Sequence, residues 1–542
     1  MQPSRFSLCR PRVLSCVRAG ARAGLAAAIL GGVAIAGCLA GAEGLTPPLD
    51  AFYFPTGLVV SAGGGALYVA NSDFDLQYSG GTVQAIDLAA VRAQAFLLED
   101  TLAAAAADPN APEACRQAGL SKNDNPVLNP GPCTAMGVTG LVKGAVAIGA
   151  FASGAILVHR PDAPGARLFV PVRGDPSVTF FDVSDDRPDL GDHRVCNGGP
   201  FCLECSAGAG SRCGAPSRIG EDPGESQRGL RLPLEPVGIA ADARGESIVT
   251  AHQTQDAASL IVNRWDQKPV LEHHLSGLAS GPTDVVALPV PGIVRALQGS
   301  PDALAYQPGF LLTYRASPQL DLLRYEDDEQ AAPERPFLTR AGAVGIVINE
   351  GGSDSRGVAI DPAERLACEA SAANLEKLTE CASIPLRLYV ASRAPASLLI
   401  GEVRTELVEL DGQETGAFET INLYDSVPLS YGASRVALGH VIGEDGAPHL
   451  RVFAVAFDSR LIFSYDPVAR RVDAVIRTGR GPHAIAFDTG VDPETQEPYS
   501  FMYVGHFTDS YIGVVDLNMN KPITFGAMFL SLGQPMPPQE SN

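Results

Sequence analysis

Residues 481–517 read GPHAIAFDTGVDPETQEPYSFMYVGHFTDSYIGVVDL. A Gly-Pro turn opens an alternating run at 484–487, and an acidic, proline-bearing turn leads to a second apolar run at 501–504. A polar turn at 506–510 then leads to a third run at 511–517. Short period-2 runs between turn residues predict antiparallel strands. Residues 523–529 (ITFGAMF) are expected to supply a fourth. A lone sheet of this size leaves two faces to cover, so it needs neighbours of its own kind.

The chain supplies them. LYVANSDFDLQYSGGTVQAIDL (67–88), LFVPVRGDPSVTFFDV (168–183) and SIVTAHQTQDAASLIVNRWD (247–266) repeat the central pattern of strand, polar turn and strand. FLLTYRASPQLDLLRYED (310–327), LYVASRAPASLLIGEV (388–403), VFAVAFDSRLIFSYD (452–466) and MYVGHFTDSYIGVVDL (502–517) complete seven copies. An Asp closes the second strand at Asp87, Asp182, Asp266, Asp466 and Asp516, where its carboxylate can accept a backbone N–H two residues on. Most copies follow a small-residue turn and an alternating strand, as in PVGIAAD (236–242), SRGVAID (355–361) and GPHAIAFD (481–488).

Tyr68-Val69-Ala70-Asn71, Tyr389-Val390-Ala391-Ser392 and Tyr503-Val504-Gly505-His506 resemble the opening of the central turn in the YVTN family of β-propeller repeats. The resemblance covers most of 55–530 and implies an all-β, seven-bladed propeller of four-stranded antiparallel blades. Several copies lack the motif's Asn. A string of β-sandwiches would also give short, evenly spaced strands, but radial closure is favoured because it removes exposed sheet edges. The propeller is expected over 51–530, with residues 51–55 pairing with 523–529 to close the ring and 531–542 as a tail.

At 46% hydrophobic residues, with 57 Gly and 42 Pro in 542, the composition suits a folded, turn-rich β protein. The formal charge is −21, and five arginines with no acid lie in 1–37, so removing that segment leaves 35 basic against 61 acidic residues, or −26. Such a surface argues against nucleic acid as a partner.

Arg5, Arg10, Arg12, Arg18 and Arg22 precede a small-residue apolar stretch at 23–36, the pattern of a signal peptide over 1–37. Ile35-Ala36-Gly37-Cys38 resembles the bacterial lipobox. That implies lipidation of Cys38, a tether over 38–50 and residence at the outer membrane as a lipoprotein, on its periplasmic or surface face. Eight cysteines remain beyond it: Cys115, Cys133, Cys196, Cys202, Cys205, Cys213, Cys368 and Cys381. An even number in local clusters in an exported chain reads as disulfides. Cys115–Cys133 and Cys368–Cys381 are natural pairs, and the central four allow three connectivities. Those four would otherwise hold zinc as thiolates.

Three insertions interrupt the repeat, at 89–143, 184–235 and 362–385. The first contains an Ala-rich helical stretch at 88–107, and a short helix is expected between Cys368 and Cys381. The turns between first and second strands are long at 289–308, 362–385, 439–449 and 489–500. Strand reversal puts these turns on one face, making it the expected docking surface for an envelope protein partner.

Motif-level chemistry is sparse. The chain has no G-x-x-x-x-G-K-[ST], H-E-x-x-H, G-x-S-x-G or C-x-x-C-H. Asn71-Ser-Asp73-Phe-Asp75 has oxygen ligands at calcium-like spacing without the Gly and distal Glu of an EF-hand. The entry to the first strand and the turn after the second lie on the opposite face, as a channel rim. His483 enters the last repeat. Asn71, Arg173, His252, Tyr314, Ser392, Phe457 and His506 occupy the turn in successive repeats. Such a ring suits a small polar ligand or a metal. The leading expectation is a lipid-anchored, non-enzymatic binding or scaffold protein with no cofactor. One alternative is an exported propeller hydrolase or lactonase using a metal or His/Arg on the rim. A second is an electron-transfer accessory similar to the haem-binding propeller of nitrite reductases.

Overall fold

Ala66–Asn71, Ser247–His252 and Gly309–Tyr314 are buried at every residue. A strand is closed to water on both sides only when its sheet is covered on both faces, and here other sheets provide the cover. A computed structural model describes residues 44–537 apart from 109, 162, 191–198, 207–210, 227, 328–334, 348–353 and 411–412. It contains seven antiparallel sheets, six of four strands and one of five, each assembled from consecutive strands.

The first strands of blades 1 to 7 are Pro55–Val60, Ile156–His159, Pro236–Ala241, Pro282–Ala287, Ser355–Asp361, Ala433–Ile442 and Pro482–Val491. They pack on one another in that order, and the first lies against the last, so the sheets form a seven-bladed β-propeller. Close approach is built into the sequence. A Cβ at Gly238 would sit 2.6 Å from the Asp284 Cα, and one at Gly357 would sit 2.8 Å from the Val436 nitrogen.

Closure differs from the expected pairing. The fourth strand of blade 7 is Met528–Leu532, not 523–529. Pro55 pairs with Asn71 inside blade 1, so residues 51–55 add no strand to blade 7. Each blade takes all its strands from one continuous segment, which leaves no strand to exchange. Closure comes instead from first-strand packing and from stitches. Phe54 N donates to Ser510 Oγ at 3.1 Å. The first insertion bridges to the last strand through Met136 N to Ser531 O (2.7 Å) and Gly533 N to Met136 O (2.9 Å).

Within that insertion, Leu88–Ala107 is a helix capped by Asp87, whose carboxylate accepts from Ala90 N. Its buried Leu88, Val91, Ala95 and Leu98 join the core between blades 1 and 7. The long turns are not free loops. Gly292–Leu297 packs beside Leu375–Ala382, with Ile293, Leu304 and Ala382 forming a small core. Glu369 accepts from Gly292 N at 2.8 Å and pairs with Arg295 at 2.7 Å. About half of 439–449 and of 489–500 is strand, since Ala433–Ile442 pairs with Pro448–Ala456 and Pro482–Val491 with Pro498–His506.

Disulfides join Cys115–Cys133, Cys205–Cys213 and Cys368–Cys381. The second removes Cys205 and Cys213 as thiolate ligands for zinc. Cys202 is also disulfide-bonded, while Cys196 and Cys38 lie outside the described residues.

Candidate functional site

Register decides what faces the channel. In blades 1 and 3 to 7 the pairing of the first two strands slips just after its first pair: Pro55↔Asn71, Pro236↔His252, Pro282↔Tyr314, Ser355↔Ser392, Ala433↔Ala456 and Pro482↔His506. In blade 2 the bridge Ala152↔Val172 holds the same place. A bulge re-aims the side chain that it carries. Here the extra residue in each blade turns into the channel: Thr56, Ser153, Val237, Thr283, Arg356, Ser434 and His483.

A second ring lies beside it, marked by one backbone hydrogen bond in every blade. The carbonyl just before the first strand accepts from the residue that follows the second strand's paired end. The bonds are Ser72 to Phe54, Arg173 to Phe151, Gln253 to Glu235, Arg315 to Gly281, Arg393 to Asp354, Phe457 to Gly432 and Phe507 to Gly481, all between 2.7 and 3.1 Å. Six of the seven acceptors have positive φ, including Phe54 (49°), Phe151 (61°) and Glu235 (52°). Non-glycine residues adopt that conformation at a cost, and they do so typically where function or assembly over-determines the backbone.

These two rings correct the expected rim. Asn71, His252, Tyr314, Ser392 and His506 are at most 2% exposed and point into their own blades. Asn71 donates to Thr82 Oγ1 (3.0 Å) and Gln84 Oε1 (3.1 Å) and accepts from Tyr53 N. His252 Nε2 lies 2.8 Å from Ser259 Oγ, and Tyr314 donates to Asp321 at 2.5 Å. His506 accepts from Gly479 N and stacks on Tyr511 at 4.1 Å. Burial holds His252 and His506 down at about 3. Side chains alternate along a strand, so a one-residue offset turns each one from channel to blade interior. Arg173 and Phe457 lie one position further along than the other five, and they do line the channel, as does His483.

The two rings, apart from Arg315, line a cavity of about 280 Å³. One arc is aromatic: Phe507 lies 5.1 Å from Phe74, 5.2 Å from Phe54, 6.0 Å from His483 and 6.2 Å from Phe457. Phe74 is 49% exposed, an open aromatic face at the entrance. The other arc is cationic, but most of its charge is matched. Arg173 pairs with Glu235 at 2.8 Å, Arg393 with Asp458 at 2.6 Å, and Arg356 with Asp354.

Arg435 is different. It follows the bulge of blade 6 and reaches across to blade 2, where Nη2 donates to Ser153 O at 3.0 Å. Five of the six equivalent positions are Gly57, Gly154, Gly238, Gly357 and Ala484, which leave it room; the sixth is Asp284. Burial pushes the Asp284 carboxyl up and Arg435 pulls it back. Burial, then Arg435, holds His483 at about 3, so that imidazole is neutral in the neutral range.

The calcium-like trio does not converge. Asn71 is committed inside its blade, Asp73 Oδ1 accepts from Tyr78 N, and Asp75 accepts from Gln77 N. Among the described residues no three His, Cys, Asp or Glu side chains are placed to hold a metal ion. Sequence reasoning passed over Ser72, Gln253, Arg393 and Phe507, and every bulge residue except His483. The usable signal was the Pro, Ser or Ala that opens each first strand, since the residue after it is the one turned inward.

The chain matches no protein-family model and no curated protein. Among solved structures it is similar to hydrazine synthase from Kuenenia stuttgartiensis at 13% identity and a TM-score of 0.40, over 88% of this chain and 98% of that one. A candidate 6-phosphogluconolactonase from Bacteroides uniformis shares 11% identity at a TM-score of 0.40, over 81% and 90% of the two chains. The dihydro-heme d1 dehydrogenase NirN shares 13% at 0.37, over 74% and 61%. Likeness at this level carries no activity across, and the propeller stands on its own seven sheets.

Proposed function

We propose that this protein is a binding protein of the cell envelope, anchored through acylated Cys38, that captures a small ligand at the channel mouth without transforming it. The observation that carries this reading is the convergence of two side-chain rings on one cavity with an aromatic arc and a guanidinium arc. Pockets that combine apolar walls with a few placed polar groups are the usual form of small-molecule sites. Binding is favoured over hydrolysis because the one imidazole that lines the cavity among the described residues, His483, is held at about 3, far from the pKa that suits a general base at neutral pH. A protein partner, where one binds, is expected on the opposite face.

A thermal-shift screen of small metabolites against the mature chain tests this. Compounds that raise the melting temperature should lose their effect in a Phe457→Ala/Phe507→Ala variant. They should keep it in a Cys368→Ser/Cys381→Ser variant, which alters only the far face. Hits unaffected by the aromatic substitutions would contradict the reading.

A further inference from the structure

The mouth cavity also carries the chemistry of its ligand, an inference that rests on the binding reading above. We infer that it takes a small carboxylic acid with a hydrogen-bond donor beside the carboxylate and an apolar or aromatic body.

The carboxylate is assigned by Arg435. Among the described residues it makes no ion pair, while the guanidiniums of Arg173, Arg356 and Arg393 each hold an acid already. It spans the channel with one N–H on Ser153 O and the rest uncommitted. A planar guanidinium matches a carboxylate through two parallel hydrogen bonds. Asp284 acts on it through space without an ion pair among the described residues, so an incoming anion meets a guanidinium with no acid in direct contact.

The donor is assigned by the hydroxyls. Thr56 Oγ1 donates to Ala152 O at 2.8 Å, Ser153 Oγ to Pro236 O at 2.8 Å, and Thr283 Oγ1 to Ser355 O at 2.7 Å. Each stitches one blade to the next and commits the only hydrogen that the hydroxyl has. Thr283 Oγ1 also lies 3.0 Å from Thr313 Oγ1 and accepts from it, so what remains for a ligand is oxygen lone pairs, chiefly on Thr56 and Ser153, which accept. A carboxylate flanked by a hydroxyl or an ammonium supplies both halves.

The body is assigned by Phe74, Phe457 and Phe507, whose rings line the same cavity. At about 280 Å³ the space falls just under the range of drug-sized sites, roughly 300–1,000 Å³, which limits the body to about one ring.

Calorimetric titration of the mature chain with four probes tests the assignment. L-phenyllactate and L-phenylalanine carry acid, donor and ring; 3-phenylpropionate lacks the donor; 2-phenylethanol lacks the carboxylate. At least one of the first two should bind ten-fold or more tighter than both controls, and which one does so tells hydroxyl from ammonium. Arg435→Gln should reduce that probe to the level of 2-phenylethanol, and Arg435→Lys should keep part of the difference. Should Arg435→Gln fail to fold, raising the salt concentration gives the same reading, since only carboxylate binding should weaken. Binding of 2-phenylethanol equal to that of the acids overturns the carboxylate assignment, and equality with 3-phenylpropionate overturns the donor. If no probe binds while the metabolite screen yields hits lost in Phe457→Ala/Phe507→Ala, the ligand class is wrong and the cavity reading stands. If the screen is empty too, both fall.

Discussion

The two faces of this propeller are made by the same repeat and have opposite characters. At the mouth, every blade ends its second strand with the same backbone hydrogen bond to the residue before the first strand. That bond sets the geometry of the turn seven times over, while the side chains above it vary from Ser to Arg to Phe. On the opposite face, the chain adds a helix at Leu88–Ala107, three shorter helices between 292 and 382, and extended hairpins in blades 6 and 7. Two disulfides, Cys115–Cys133 and Cys368–Cys381, brace those additions. A cavity lined from seven blades survives only if all seven hold their spacing, whereas a covered face tolerates length wherever the added chain finds apolar surface to pack on.

If the faces are independent in this way, damage to one should leave the other working. The largest loss is expected from opening Cys368–Cys381. A closed loop of this size contributes about 3 kcal/mol in the chain-entropy account. Cys368→Ser/Cys381→Ser should lower the melting temperature clearly while leaving ligand affinity at the mouth unchanged. Loss of binding in that variant would break the separation.

A smaller effect is expected from one methyl group, provided it is placed in the ring. Gly238→Ala drives a Cβ onto the backbone of Asp284 in the next blade and should cost about 1–3 kcal/mol through overpacking. Gly137→Ala, in the first insertion, meets nothing within 4 Å and should change stability by less than about 0.5 kcal/mol. Equal effects at the two sites would deny that spacing is critical at the ring and slack outside it.

The faces should also respond to pH with opposite sign. His252 and His506, at the mouth end of their blades, are held at about 3 against an ordinary 6.5. Their folded pKa is lowered, so the stability they allow is complete above 6.5 and is lost as pH falls from 6.5 toward 3. Glu99, on the inserted helix, is pushed up to about 9 by burial and by Asp516. As a carboxyl with a raised folded pKa, it destabilises the fold progressively as pH rises from about 4.5 toward 9. Melting curves should show that Glu99→Gln gains on the order of several kcal/mol at pH 9, at about 1.4 kcal/mol for each unit that the pKa is raised, and nothing at pH 4. His506→Phe should flatten the acid limb and leave the alkaline limb alone.

Much of this was legible in the chain. Seven copies of strand, turn and strand imply seven blades because one such sheet cannot be stable alone. The span 88–107 is a helix from end to end because nothing in it breaks one and Asp87 stands ready to cap it. Nearest-neighbour pairing predicted Cys115–Cys133 and Cys368–Cys381. The rim was misplaced because alternation fixes faces only within an unbroken ladder. The bulge after each opening residue shifts the phase just where the site begins, and no pattern of apolar residues marks it. Ring closure was misread for a different reason: continuous blades leave no composition signal to tell them from swapped ones. The long turns at 289–308 and 362–385 hid a packed core because its contacts, such as Ile293 with Ala382, join segments far apart in sequence.

The central claim is that in blades 1, 3, 5 and 7 the residue after the expected rim position (Ser72, Gln253, Arg393 and Phe507), and not that position itself, faces the cavity. Ser392 and Arg393 allow it to be tested within one turn, since serine tolerates exchange for cysteine in place. Ser392→Cys and Arg393→Cys should be prepared separately and reacted with a methanethiosulfonate reagent, with and without a hit from the metabolite screen. Reactivity follows exposure of the thiolate, so Arg393→Cys should label at least ~100-fold faster than Ser392→Cys, and bound ligand should slow it. Fast labelling of Ser392→Cys with ligand protection there, or no protection of Arg393→Cys, would contradict the account.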